Sequence, residues 1–301
     1  MSSEKTVVYN FYSSVGWSKK PDGSYVDSDA EDKRPVSIEY IDRCHKRLGR
    51  RLDSSGDLFL DCASGPVQYP QYLAYSRNYR KRVCVDFSFA ALVEARANHG
   101  DHVLCVVADI TKLPFRDNSF DAVLSLHTVY HVPESEQTQA FGELYRCTRS
   151  GRRCVVVYSV GDSSILNRIL LIPVRAFNLM TGRSDRLRKL FGCLKRHFRQ
   201  KVAREPVGET ITATTTPVGF YPHDWSWLIA HVLRRYGCSV AVPWRSLSVP
   251  VMRKLIHSRI FGKQILRFAY CLENRFPRAV ARIGQYPTII MTKSTVESRI
   301  A

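Results

Sequence analysis

Three aspartates stand where short β-rich runs give out: Asp61 in LFLDC, Asp86 in RVCVDF and Asp109 in HVLCVVAD. In an open α/β sheet a ligand binds at the carboxyl ends of the strands, where carboxylates accept hydrogen bonds from hydroxyl and amino groups. Asp61 leads into the small-residue turn Ala63-Ser64-Gly65, which allows the backbone to come close to a ligand. Asp86 stands where such folds hold a carboxylate against ribose hydroxyls. A second cluster, Ser125-Leu126-His127-Thr128-Val129-Tyr130-His131, closes another apolar run and brings two imidazoles and a phenol to the same rim. Imidazole is the most frequent general base. His131 is the first choice for a base or an acceptor-orienting group and His127 the second, with Tyr130 beside them. Helix capping by the aspartates and structural hydrogen bonding by the histidines are the competing assignments.

Five runs must position these residues: 57–62, 82–87, 102–109, 120–126 and 153–160. Helical patterns lie between them, clearest at 88–98, with Ser88 as N-cap, and at 134–148. Strands alternating with helices predict a doubly wound parallel sheet. Further elements follow: a helix over 223–236, a strand over 238–244, a helical stretch over 247–275 and a last strand over 286–293. The chain thus divides into an aromatic N-terminal lid (1–56, with a helix near 36–52), a core (57–160), a basic helical insertion (161–220) and a C-terminal part that completes the sheet (221–301). Tyr12 and Trp17 of the lid, and Arg245 after the strand at 238–244, are candidate contacts to a substrate. Arg245 is suited either to an anionic group or to pairing with a carboxylate.

The stretch VVADITKLPFRDNSFDAVLSLHTVYHVPESEQTQAFGELYR resembles the core of class I S-adenosylmethionine-dependent methyltransferases, in particular the type 11 group that includes quinone-biosynthesis enzymes. The resemblance covers 57–160 and implies a Rossmann-like seven-stranded α/β sheet whose last strand is antiparallel. It implies S-adenosyl-L-methionine as cofactor. Asp61 is then directed to the methionine amino group, with Ala63, Ser64 and Gly65 as close-approach backbone. Asp86 is the ribose carboxylate, Phe87 lies beside the adenine, Asp109 and Ile110 meet the adenine edge, and Ser125 and Leu126 complete the cofactor side. Where the family has Gly-x-Gly-x-Gly, this chain has Ala63, Gly65 and Val67, and the usual Lys-Pro-Gly-Gly turn reads RSGRR at 149–153.

Other chemistries fit less well. A nicotinamide-dependent oxidoreductase needs G-x-G-x-x-G after the first strand, and Pro66 and Val67 would crowd a diphosphate there. His127 and His131 have i, i+4 spacing, but the Glu of H-E-x-x-H is missing and Pro133 opposes a helix through them, so no metal is expected. The Asn/Asp-Pro-Pro-aromatic motif of base-directed amino methyltransferases is absent, which points to transfer to a hydroxyl or carbon.

At 45% hydrophobic and 24% charged, the 301-residue chain is neither fibrous nor disordered. Its charge is uneven: residues 1–160 hold 21 Lys+Arg against 20 Asp+Glu, residues 161–301 hold 24 against 7. Such asymmetry suits a polyanionic partner. Residues 183–204 carry Leu187, Leu190, Phe191, Leu194, Phe198 and Val202 at helical spacing among basic residues, and 251–270 is a second basic helical stretch. Aliphatics rather than aromatics are interleaved with the charge, which favours an anionic membrane surface over nucleic acid. The acceptor expected is a small molecule, glycan or lipid-linked intermediate; the alternatives are an RNA methyltransferase and a catalytically inactive binding protein of the same fold. Nine scattered cysteines, no sequon and no apolar leader predict reduced thiols and a cytoplasmic chain, peripherally membrane-associated.

Overall fold

The computed structural model describes residues 3–180, 219–236 and 240–295. Seven strands form one sheet: β1 (Gly56–Cys62), β2 (Tyr79–Asp86), β3 (Val103–Val107), β4 (Phe120–Leu126), β5 (Thr148–Val157), β6 (Val240–Arg245) and β7 (Tyr286–Thr292). Their order is β3-β2-β1-β4-β5-β7-β6. The first five are mutually parallel, and β7 runs antiparallel to both β5 and β6. The order reverses between β1 and β4, and the crevice outside their carboxyl ends is the place where such sheets bind ligands.

Alternation along the strands builds a core on each face. Leu60, Val123, Val156 and Met291 face α5 (Gln137–Cys147) and residues 225–236. Phe59, Leu124, Val155 and Val157 face α2 (Ile38–Gly49), α8 (Val249–Leu255) and α9 (Gly262–Arg275). Because both faces are covered, the central strands read as unbroken apolar runs. A third cluster places Val67 with Cys84, Leu92, Ala95 and Val103, under α4 (Phe89–His99). Ser88 caps α4, its hydroxyl accepting from the Ala91 amide.

Several expected boundaries move. β2 begins at 79, β3 covers only 103–107 and β5 spans 148–157, so Asp109 lies two residues past its strand. The helix expected over 223–236 is one α-turn, α7 (Trp225–Leu228), followed by a π-helical turn (Ile229–Leu233). The stretch 247–275 is broken between α8 and α9, where Phe261 takes φ +55° and a Cβ on Gly262 would lie 2.7 Å from the His257 carbonyl oxygen. The helix already ends at Ile256 and His257, whose backbones are extended (φ −102°, ψ 110° and φ −135°, ψ 148°). α10 (Pro277–Ile283) then leads into β7. Of the basic insertion, residues 161–180, including α6 (Ile165–Met180), and residues 219–220 are described, and the amphipathic stretch 183–204 lies outside the described residues. Among the described cysteines, Cys44, Cys62, Cys84, Cys147 and Cys154 are buried, while Cys105 and Cys271 are exposed.

Candidate active site

The turn after β1 is wound left-handed three times: Ala63, Gly65 and Val67 have φ of +55°, +52° and +52°. These are the positions at which the family pattern has glycine, so the backbone keeps a glycine path through two other side chains. A β-branched residue in that region costs about 1–2 kcal/mol. Burial offsets the cost, since Val67 is only 3% exposed and filling a core site with such a side chain contributes about 1.5–3 kcal/mol. Gly65 also tolerates no side chain, because a Cβ there would sit 2.6 Å from the Trp17 ring. The Asp86 carboxylate holds the turn, accepting from the Gly65 amide at 2.9 Å and the Ser88 amide at 2.8 Å. Burial pushes this carboxyl up to about 6, against the pull of those amides. Asp61 is buried against Arg82, whose Nε donates to Oδ2 at 3.1 Å and whose second contact falls on the same oxygen. Arg82 donates further to the Tyr72 carbonyl at 2.6 Å and the Ser76 hydroxyl at 3.2 Å.

The N-terminal segment closes over this rim. α1 (Ser3–Phe11) and the π-helical turn Tyr12–Gly16 place Tyr9 and Tyr12 against the Phe87 ring, at 5.6 and 6.5 Å between centroids, and stack Tyr12 on Trp17 at 5.3 Å. Lys5 binds Asp109 at 2.6 Å, the Thr111 hydroxyl at 2.9 Å, and Glu136. Burial acts to raise the Asp109 carboxyl, but Lys5 together with the Thr111 amide and hydroxyl outweighs it and holds the group below the usual range.

At the end of β4, His127 takes φ +56°, which turns its ring between Trp244 and Tyr286, at 4.6 and 5.3 Å. Burial, with the nearby Arg245 charge, holds its imidazole well below the ordinary value. His131 donates from Nδ1 to the Gly219 carbonyl at 2.6 Å, which leaves Nε2 as an acceptor, and burial lowers it to about 4. Both rings are therefore neutral at pH 7. Tyr130 packs on His131, Tyr158 and Phe220. Arg245 is buried, pairs with Glu31 and lies over the Trp244 and Tyr286 rings. Of the two roles suited to Arg245, pairing with a carboxylate is the one realised, while its buried Nε has no hydrogen-bond partner among the described residues.

Residues 60–156 match the family model "Methyltransferase domain". Demethylmenaquinone methyltransferase from Streptomyces avermitilis is 35% identical over 97 residues, 32% of this chain and 40% of that protein. The enzyme of the same name from Mycobacterium marinum is 38% identical over 101 residues, 34% and 41% of the two chains. The chain carries a class I S-adenosylmethionine-dependent methyltransferase domain of the type 11 group. It spans less than half the length of the curated relatives it matches. A solved S-adenosylmethionine-dependent methyltransferase from Mesorhizobium loti is 19% identical, covering 42% of this chain and 58% of that one at a TM-score of 0.35.

The methyltransferase domain presents two adjoining cavities. One is lined by Asp61, Ala63, Ser64, Asp86, Phe87, Leu126, His127, Tyr130, His131 and Arg245, under Tyr12 and Trp17. The other is largely apolar, with Val8, Val85, Ala108, Ile110 and Val132, and has Asp109 and Lys5 among its lining residues. Ala63, Asp86, Phe87 and His131 border both. Carboxylates suit a cationic cofactor, and an apolar slot suits its adenine, so the residues fit S-adenosylmethionine. Each Asp86 oxygen already accepts an amide and retains a lone pair for a ribose hydroxyl.

Two expected residues stand apart from both cavities. Gly65 is covered by Trp17. Ser125 is fully buried in the sheet, with an Oγ that has no hydrogen-bond partner among the described residues. Conversely, Asp27, Glu31, Tyr69, Tyr72 and Tyr286 line the first cavity. No local pattern marks them, because they reach the site from the lid, from the turn into α3 (Pro70–Ala74) and from the last strand.

Proposed function

We propose that the protein transfers the methyl group of S-adenosylmethionine to a hydroxyl, or a carbon, of a small-molecule, glycan or lipid-linked acceptor. One observation carries this reading: His127, Tyr130 and His131 share a single cavity with Asp61, Ala63, Ser64, Asp86 and Phe87. The cofactor supplies a methyl group already activated by the sulfonium charge. The chain then contributes alignment, desolvation and handling of the acceptor proton. Asp86 accepts the ribose hydroxyls, Asp61 faces the methionine amino group, and Phe87, Asp109 and Ile110 enclose the adenine; Ala63, Ser64 and Leu126 form the adjacent wall. His131 offers Nε2 to the acceptor hydroxyl. An imidazole lowered to about 4 is a weak base, so its larger share is orientation through a hydrogen bond, with His127 as the second such group. Tyr12, Trp17 and Tyr130 contact the acceptor, beneath a lid formed by α1 and the turn after it, and Arg245 borders the same cavity while paired with Glu31.

Calorimetric titration with S-adenosylmethionine and S-adenosylhomocysteine tests the cofactor half. Wild type is expected to bind both, and Asp86→Ala to bind about 10- to 100-fold more weakly, the worth of hydrogen bonds to a charged acceptor. Absence of binding by wild type overturns the proposal and leaves a binding protein of methyltransferase fold. For the acceptor half, transfer of labelled methyl to a panel of hydroxyl acceptors is expected to fall at least about 100-fold in His131→Ala, with cofactor affinity retained.

A further inference from the structure

Large apolar side chains stand exposed along two helices on one face of the molecule. On α6 they are Ile165, Ile169 and Ile172, spaced i, i+4, i+7, with Ile169 57% and Ile172 60% exposed. At the start of α9 and along it they are Phe261, Ile265, Phe268 and Leu272, spaced i, i+4, i+7, i+11, with Phe261 74% and Phe268 64% exposed. Each spacing draws one stripe along one side of a helix. A groove of about 380 Å³ lies beside the α9 stripe, lined by Leu166 and Leu170 of α6, Ile265, Phe268 and Leu272 of α9, and Ile283 of α10, while the α6 stripe stands outside it. Isolated exposed apolar residues are ordinary, but a stripe bordering an open apolar groove marks an interaction surface.

Charge identifies what covers it. Residues 249–283 contain eight Lys+Arg and a single acidic residue. That residue, Glu273, is 1% exposed and is taken up by Arg47, Tyr40 and Ser246. The segment therefore exposes Arg275, Arg278 and Arg282, while Lys263 lies on the α2 side of α9 with Glu39 and Arg43. A second copy of the chain would set one basic rim against another. Residues 181–218, with nine Lys+Arg against three Asp+Glu, carry the same sign of charge. An apolar stripe flanked by cations is matched by a bilayer interface, where acyl chains take the isoleucines and phenylalanines and anionic headgroups take the arginines. No described helix is long and apolar enough to cross a membrane, so contact is made in the plane of the interface.

We propose that the face formed by α6, α9 and α10 docks the protein on an anionic lipid bilayer. The inference rests on surface residues alone and stands or falls separately from methyl transfer. Its test is co-sedimentation of the full chain with phosphatidylcholine vesicles, with and without phosphatidylglycerol, for wild type, Ile169→Ser/Phe268→Ser and Arg275→Glu/Arg278→Glu. Wild type is expected to pellet with the anionic vesicles and not the neutral ones. The apolar double variant should bind about ten-fold more weakly or worse, and the charge variant should lose its preference for phosphatidylglycerol. Unchanged melting temperature and unchanged cofactor titration in the variants exclude misfolding. No pelleting by wild type overturns the proposal. So does binding that the apolar variant leaves intact but RNA competes away, which would make the face a polyanion site, or a concentration-dependent dimer abolished by Phe268→Ser.

Discussion

Val67 and Asp86 concentrate the chemistry of the site at the scale of single residues. At an ordinary buried position glycine is worse than alanine, yet at φ +52° the alanine Cβ carries a strain of about 1–2 kcal/mol that glycine avoids. Both Val67→Ala and Val67→Gly lose buried contacts and should destabilise the protein. The expected order is reversed from the usual one, with Val67→Gly at least as stable as Val67→Ala; urea denaturation of the two reads it directly, and a clearly more stable Val67→Ala would show that the turn is not held left-handed. Asp86 gives a pH signature. Its carboxyl sits at about 6, and in the proposed role the ionised form accepts ribose hydroxyls. Affinity for S-adenosylmethionine should therefore be level above neutral pH and fall as pH drops through 6, by at most about ten-fold per unit. His131, at about 4, stays neutral over that window and contributes nothing to the slope. A flat titration between pH 5 and pH 8 would remove Asp86 from the cofactor contact.

Among the elements, α1 is fastened to the rim through Lys5 and through Tyr9 against Phe87. Lys5 ties it to Asp109, Thr111 and Glu136, with Asp109 41% and Glu136 28% exposed at the side chain, and such half-open pairs are worth no more than about 1 kcal/mol. Lys5→Ala is expected to raise amide hydrogen exchange over residues 3–11 markedly while global stability changes by less than about 1 kcal/mol. Equal loss of protection across the sheet would mean that α1 belongs to the global folding unit and is no separate lid. Legibility at this scale followed local pattern. β4 and the Ser88 cap of α4 were readable from a short unbroken β-rich run and from N-cap chemistry. The break between α8 and α9 was not, because it lies in the extended backbone of Ile256 and His257 and the left-handed Phe261, within a run whose apolar residues keep helical spacing.

For the whole molecule, Glu273 marks how the sequence-distant parts are fastened. It accepts from Tyr40 at 2.5 Å and Arg47 at 2.7 Å, both on α2, and from the Ser246 amide at 2.8 Å beyond β6. Removing one partner of a buried pair strands the other charge, so Glu273→Ala should cost about 3–5 kcal/mol, read as a fall in melting temperature. A cost below about 1 kcal/mol would mean that Arg47 finds water instead. The sequence by itself determined the doubly wound sheet, the turn after β1 and the rim aspartates, since these follow from strand periodicity and from the rule that ligands meet strand ends. Only the tertiary structure decided that Arg82 is spent on Asp61, that Arg245 is spent on Glu31, and that Ser125 is hidden while Tyr286 lines the cavity. The reason is range. Backbone propensity and side-chain alternation act over a few residues, whereas the pairing of buried charges depends on which segments the fold brings within about 3 Å of one another, and in this chain those segments lie as far apart as residues 47 and 273.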